Sequence, residues 1–197
     1  MSDASQAAGG VALRPLTELP PDLREFIAAL PKAELHLHLD GTLEVADVFR
    51  IAERNDAAHL IPHATAAAAE AARTFRNLGE FLDEINAANA VLQTEADFYD
   101  VTRAYLVRAA AEGIRYAEIQ VAPRNIPTET VLRGMARAYA ECEATHGIKA
   151  ATIVTLIKSE PASVNEAALD AAIAQRHLGV VGIGFAAAEV RHHRRWR

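Results

Sequence analysis

The sequence predicts an α/β protein built on a parallel sheet, and three observations carry that prediction. Four short strand-like runs begin near residues 34, 115, 150 and 180. Helical patterns separate them. One of the four, AATIVTLI at 150–157, is apolar almost throughout, as a strand covered on both faces must be. The chain has 197 residues. That suffices for one domain and falls short of the roughly 250 that a closed eight-stranded α/β barrel takes.

Residues 1–20 are small, polar and Pro-containing, and read as a mobile tail. A short helix is expected from about Asp22 to Leu30, ended by Pro31. ELHLHL (34–39) alternates with period two and reads as a strand. Asp40-Gly41 is a turn signal, after which Thr42 is expected to cap a helix reaching about Asn55. Residues 56–77 have no clear period, although the alanine run at 66–72 favours helix by propensity. From Gly79 to about Leu92 the pattern is helical, with Leu78, Phe81, Leu82 and Ile85 at i, i+3, i+4 and i+7. Thr94 opens the next helix and Gly113 closes it. RYAEIQVA (115–122) is the second strand, ended by Pro123, and a helix runs from about Thr128 to His146-Gly147. After the third strand, Pro161 and Ser163 precede a helix to about His177, with Ser163 and Glu166 at capping-box spacing. VVGIGFAA (180–187) is the fourth strand. No low-complexity linker interrupts 31–190, so 21–190 reads as one domain, followed by a basic tail at 191–197.

Composition narrows the function classes. Hydrophobic residues make up 51%, but 43 residues are alanine, which adds little burial per residue. The net charge is −6, and the final RHHRRWR holds four Arg and no acid, so residues 1–190 carry −10. Such an acidic body is a poor partner for a nucleic-acid backbone. No apolar run approaches the ~18 residues of a membrane span. The single Cys142 excludes an internal disulfide and a CxxC metal site. The N-terminal MSDASQAAGG lacks the basic and apolar regions of a secretory signal, so a reducing cytoplasm is the expected compartment.

His36 and His38 stand two apart in the first strand. Side chains at i and i+2 share a face, so two imidazoles there can share a metal at ~2.0–2.1 Å. Two histidines satisfied by ordinary hydrogen bonds are the alternative. Asp40 lies near that face at the strand's C-terminal end, the end that carries the chemistry in α/β barrels.

The stretch LPKAELHLHLDGTL (30–43) resembles the first-strand signature of the adenosine deaminase family, matching at Pro31, Lys32, Glu34, Leu35, His36, His38, Leu39, Asp40 and Gly41. NLGEFL (77–82) resembles the region before the family's apolar lid helix. EGIRYAEIQVAP (112–123), HGIKAATIVTLIKSEP (146–161) and VVGIGFAAAE (180–189) resemble its second, third and fourth strands. The resemblance covers about 22–190 and implies a (β/α)8 TIM barrel, of which this chain holds about the first four βα units, a truncated half barrel. It implies one Zn2+ at the C-terminal mouth, which brings the pKa of a water toward ~7. The implied reaction is hydrolytic removal of the 6-amino group of a purine, with adenosine as first substrate. Adenine is the alternative, because FIAALPKAELHLHLDGTLE, NLGEFLDEI and VLQTEADFYD are also similar to the adenine-deaminase-like branch. That branch usually has Glu where Asp40 stands.

The resemblance also implies roles. His36 and His38 would be zinc ligands, and Asp40 would bind the ribose hydroxyl end of a nucleoside. Ala187, at a family glycine position, would lie against the purine. Leu78, Phe81, Leu82 and Ile85 would line the lid, with ordinary helix packing as the alternative. A nucleobase-deaminase site of HxE…PCxxC type needs more than one cysteine.

Three departures from the family pattern stand out. Ala187 and Ala188 replace the usual Gly-Asp before Glu189, and Gln120 replaces the usual Arg two after Glu118. The family's third zinc-binding His, acid Glu, orienting His and paired Asp all follow its fourth strand and have no counterpart in 1–197. The third zinc ligand is therefore expected to be missing, no catalytic residue is identified, and activity is expected to be impaired or lost. The switch to RHHRRWR reads as a frameshift or premature end, with a surface charge run or a nucleic-acid- or nucleotide-binding tail as the alternatives. Four βα units leave two open sheet edges and an uncovered apolar face, which favours self-association. A non-catalytic remnant and another HxH metal-dependent hydrolase are the competing function classes.

Overall fold

In the computed structural model, which describes residues 16–124 and 126–186, four strands form one parallel sheet. They are β1 (Lys32–His38), β2 (Ile114–Val121), β3 (Lys149–Ile157) and β4 (Val180–Ala186), in the order β1-β2-β3-β4. Each strand pairs with its successor through a helical crossover, as parallel pairing requires. The helices are α1 (Pro21–Ala29), α2 (Val45–Arg54), α3 (Ala66–Ala71), α4 (Leu78–Ala90), α5 (Glu95–Ala111), α6 (Thr128–His146) and α7 (Ala162–Ala174). This is the parallel βα sheet that the alternation predicts.

Alternation along β2 sorts its side chains. Ala117, Ile119 and Val121 turn toward the helices and join the core with Leu106 of α5 and Val131 and Met135 of α6. Gln120 turns to the opposite face, where the Thr155 hydroxyl of β3 donates to its side-chain oxygen at 3.3 Å. Helices α5 and α6 approach closely at Gly134. A Cβ there would lie 2.9 Å from Phe98 Cβ and from the Tyr99 nitrogen, so only glycine fits without displacement.

Thr94 caps α5 as expected, in a capping box with Asp97. Asp97 is fully buried. It accepts from the backbone N–H groups of Gln93 (2.9 Å) and Thr94 (2.7 Å), from the Thr94 hydroxyl (2.9 Å) and from Asn55 (2.8 Å), and it pairs with Arg54. The cluster ties α2 to α5. Left-handed glycines, Gly113 (φ 86°), Gly147 (φ 67°) and Gly179 (φ 93°), stand just before β2, β3 and β4.

Several expectations need correction. Thr42 does not cap α2. It closes a 3-10 turn, Leu39–Thr42, and its hydroxyl donates to the Leu39 carbonyl at 2.8 Å, so α2 starts later, after Glu44. Ser163 does not cap α7, which begins at Ala162 directly behind Pro161, placing Ser163 inside the first turn. That helix ends at Ala174, and a separate 3-10 turn, Arg176–Leu178, leads to β4. Within the expected tail, Leu16–Glu18 form a 3-10 turn. Residues 1–15, Ala187, Glu189 and the basic run 191–197 lie outside the described residues.

At the β4 edge, Ile183 and Phe185 pair in register with the buried Val154 and Leu156 of β3. Both therefore share the helix-facing side of the sheet, yet Phe185 is 63% exposed. Among the described residues no helix is long and apolar enough to cross a membrane.

Candidate active site

The C-terminal ends of the strands meet at a cavity of about 500 Å³. His38 from β1, Thr155 from β3 and Ala186 from β4 border it, with Asp40 from the turn after β1. Helix α4 lies over this mouth.

The two histidines come together by a route that simple alternation does not describe. Strand β1 pairs Glu34 with Ala117 and then Leu37 with Ile119, so three steps on β1 answer two on β2. The extra residue is a β-bulge, and His36 adopts φ 68°, in the left-handed region that non-glycine residues rarely enter. The imidazole rings nevertheless lie with centroids 5.6 Å apart and planes at 47°. His38 borders the cavity, and His36 is joined to it through this ring contact. Backbone strain of this kind concentrates at functional sites. The donor set suits zinc: two imidazoles at one strand end. It is a partial set, because among the described residues no three His, Cys, Asp or Glu side chains converge to hold a metal.

Asp40 is anchored on both oxygens. Oδ1 accepts from the Gly41 N–H at 3.1 Å, and Oδ2 accepts from the Asn89 amide of α4 at 3.0 Å. It also borders a second cavity of about 570 Å³, with Asn86, Asn89, Gln93 and Arg124. Asn89 and Arg124 were not singled out by the sequence. Asn89 stands 49 positions from Asp40, a separation no local pattern reads.

Leu78, Phe81, Leu82 and Ile85 all border the 500 Å³ cavity. Their spacing is that of a core stripe, but no side chain of α4 is buried, and Leu78 is 59% exposed. The helix is capped by Asn77, whose side chain accepts from the Glu80 N–H at 3.1 Å. It is held sideways by His63, whose Nε2 lies 2.9 Å from Glu84 Oε1, and by an edge-on contact of Phe75 with Phe81.

Gln120 is buried and partnered by Thr155. A Cβ on Gly184 of β4 would sit 3.1 Å from its oxygen, so the small residue leaves room for the amide. Glu118 accepts from the Tyr116 hydroxyl at 2.9 Å. Burial, and then this carboxylate, raise the Tyr116 phenol above its ordinary range. Cys142 is buried in the core between α6 and the sheet, and burial pushes its thiol pKa up, which makes it a packing group.

Comparison with known proteins adds the lineage. The family model described as Adenosine deaminase matches residues 31–196. The adenine deaminase of Sphingopyxis alaskensis is 42% identical over 173 residues, covering 85% of this chain and 50% of that protein. The adenine deaminase of Streptomyces coelicolor is 40% identical over 173 residues, with the same coverage of 85% and 50%. Among solved structures, the adenine deaminase from Arthrobacter aurescens superposes with a TM-score of 0.74 at 40% identity, over 82% of this chain and 50% of that one. An amidohydrolase from Burkhoderia ambifaria with bound Zn gives a TM-score of 0.74 at 26% identity, over 94% and 50%. The chain thus spans about half the length of the curated relatives it matches.

Proposed function

The chain belongs to the adenosine deaminase family, and from that premise we propose that its mouth is the first half of a zinc-dependent site for hydrolytic deamination of a 6-aminopurine. The observation that carries the reading is the convergence of His38, Asp40 and the apolar row of α4 at one strand-end cavity, with the His36 ring against His38. His36 and His38 would hold the zinc. When bound, zinc supplies a water activated near neutral pH for attack on the purine C6. Leu78, Phe81, Leu82 and Ile85 would cover the flat base and exclude bulk water, and Asp40 would accept a hydrogen bond from the sugar end of a nucleoside.

Two substrates compete. The short carboxylate at Asp40 favours adenosine, and the relatives named adenine deaminase favour adenine. Ammonia release by the purified chain, with zinc present and adenosine or adenine supplied, decides between them. Activity is expected to need zinc and to vanish in His36→Ala, and turnover that survives a strong chelator overturns the mechanism. A non-catalytic half barrel is the second reading, favoured because among the described residues no three His, Cys, Asp or Glu side chains converge. Stoichiometric zinc together with measurable turnover would refute it. The exposed Val181, Ile183 and Phe185 support self-association at the β4 edge, which gel filtration reads directly. A single buried thiol is consistent with a cytoplasmic setting.

A further inference from the structure

We propose that Asn89 is a positioning residue for nucleoside recognition: from α4 it orients the Asp40 carboxylate so that the carboxylate can accept a hydrogen bond from a sugar hydroxyl of the ligand. This rests on the purine reading of the mouth given above.

The geometry is specific. Among the described residues each Asp40 oxygen has one protein donor, Gly41 N–H at 3.1 Å on Oδ1 and the Asn89 amide at 3.0 Å on Oδ2. Two donors on two oxygens fix the plane of the group. A carboxylate oxygen has two acceptor positions, so each keeps one for a ligand, and Asp40 borders the cavity beneath α4. Asn89 is four residues after Ile85, so it extends the helix face that carries Leu78, Phe81, Leu82 and Ile85. One helix face thus presents an apolar surface for a base and, at its C-terminal end, the amide that holds the carboxylate. Because no α4 side chain is buried, the Asn89–Asp40 bond also ties the helix to the floor of the site.

The inference separates nucleoside from base. Adenine lacks the sugar hydroxyl and should be indifferent to the orientation of Asp40. The test is calorimetric binding of adenosine and of adenine to the full chain with zinc present. Asn89→Leu should weaken adenosine about tenfold, the loss of one hydrogen bond to a charged group, and leave adenine within about twofold. Asn89→Gln, which keeps the donor, should recover most of the adenosine affinity. In an Asp40→Ala background, Asn89→Leu should have no further effect on adenosine, because the residue acts through the carboxylate. Equal loss of both ligands, or a loss that persists without Asp40, overturns the inference and makes Asn89 a structural helix residue. An Asp40→Ala chain with unchanged adenosine affinity overturns it as well. A wild-type chain that binds neither ligand overturns the purine reading, and this inference with it.

Discussion

Helices α4 and α5 are consecutive in the chain and opposite in how they are held. Helix α5 buries Phe98, Val101, Tyr105, Leu106 and Ala109, and its first turn is anchored by the enclosed Asp97. Helix α4 has no fully buried side chain: Ala88 packs only partly buried against the core, Phe81 meets Phe75 edge-on, and polar ties to Asp40 and His63 position the helix beside the cavities. Burial and enclosed hydrogen bonds make α5 part of the scaffold. A helix held by partly exposed contacts and polar ties can border a ligand cavity while opening more readily than a buried one. The same amphipathic spacing therefore serves two purposes, and burial distinguishes them.

Substitutions on the two helices should keep that contrast or break it. The largest effect is expected at Asp97. Asp97→Ala leaves Arg54, Asn55 and two backbone N–H groups facing an empty site and should cost about 3–5 kcal/mol in urea unfolding at pH 7. Burial alone would raise the Asp97 pKa, but donors from Gln93, Arg54, Asn55 and Thr94 outweigh it and hold the value below the ordinary carboxylate range. The folded pKa is thus lower than the unfolded one, near ~3.9. The stabilisation is complete above the unfolded value and is lost as pH falls through the folded one. Urea midpoints should show this acid loss in wild type and a much smaller one in Asp97→Asn.

The next test is a matched pair. Phe98→Ala, in the core, should cost about 3–4 kcal/mol, and Phe81→Ala, which is 38% exposed over the mouth, about 1 kcal/mol or less. Equal costs in thermal unfolding would mean that α4 is core after all. Gly134→Ala should cost about 2 kcal/mol by forcing α5 and α6 apart. The smallest effect is expected for Glu84→Gln. It weakens the tie to His63, should lower stability by about 0.5 kcal/mol, and should be visible mainly as faster amide exchange confined to α4. Exchange that accelerates equally in α5 would erase the distinction between the two helices.

The elements that burial dictates were legible in the sequence. Helix α6 begins at Thr128 and ends at His146 where Pro127 and Gly147 place it, and β3 lies in its apolar run. Thr94 was legible as a cap because capping is local in sequence. Thr42 and Ser163 misled because both sit one or two positions away from where the chain bends, and a 3-10 turn and a proline respectively set the helix starts. The His36 bulge was not legible, since an alternating HLH looks the same with or without an added residue in the pairing. The apolar row of α4 was legible as a stripe but not as a mouth-facing one, because spacing does not say whether core or cavity lies opposite. The Asn89–Asp40 bond depends wholly on tertiary placement.

The three left-handed glycines bear on how such a protein can change over time. Gly113, Gly147 and Gly179 each end a helical stretch and release the chain into a strand within two residues. Helices α5, α6 and α7 have 17, 19 and 13 residues, yet the strands they lead to start in a regular stagger, Lys149 of β3 beside Tyr116 and Val180 of β4 beside Thr152. That rim sets the register of the sheet. The opposite rim has no such constraint, and its connections range from residues 158–161 after β3 to 39–94 between β1 and α5. Insertions and deletions there leave strand alignment untouched, so selection can rewrite what the mouth accepts while inheriting the sheet unchanged.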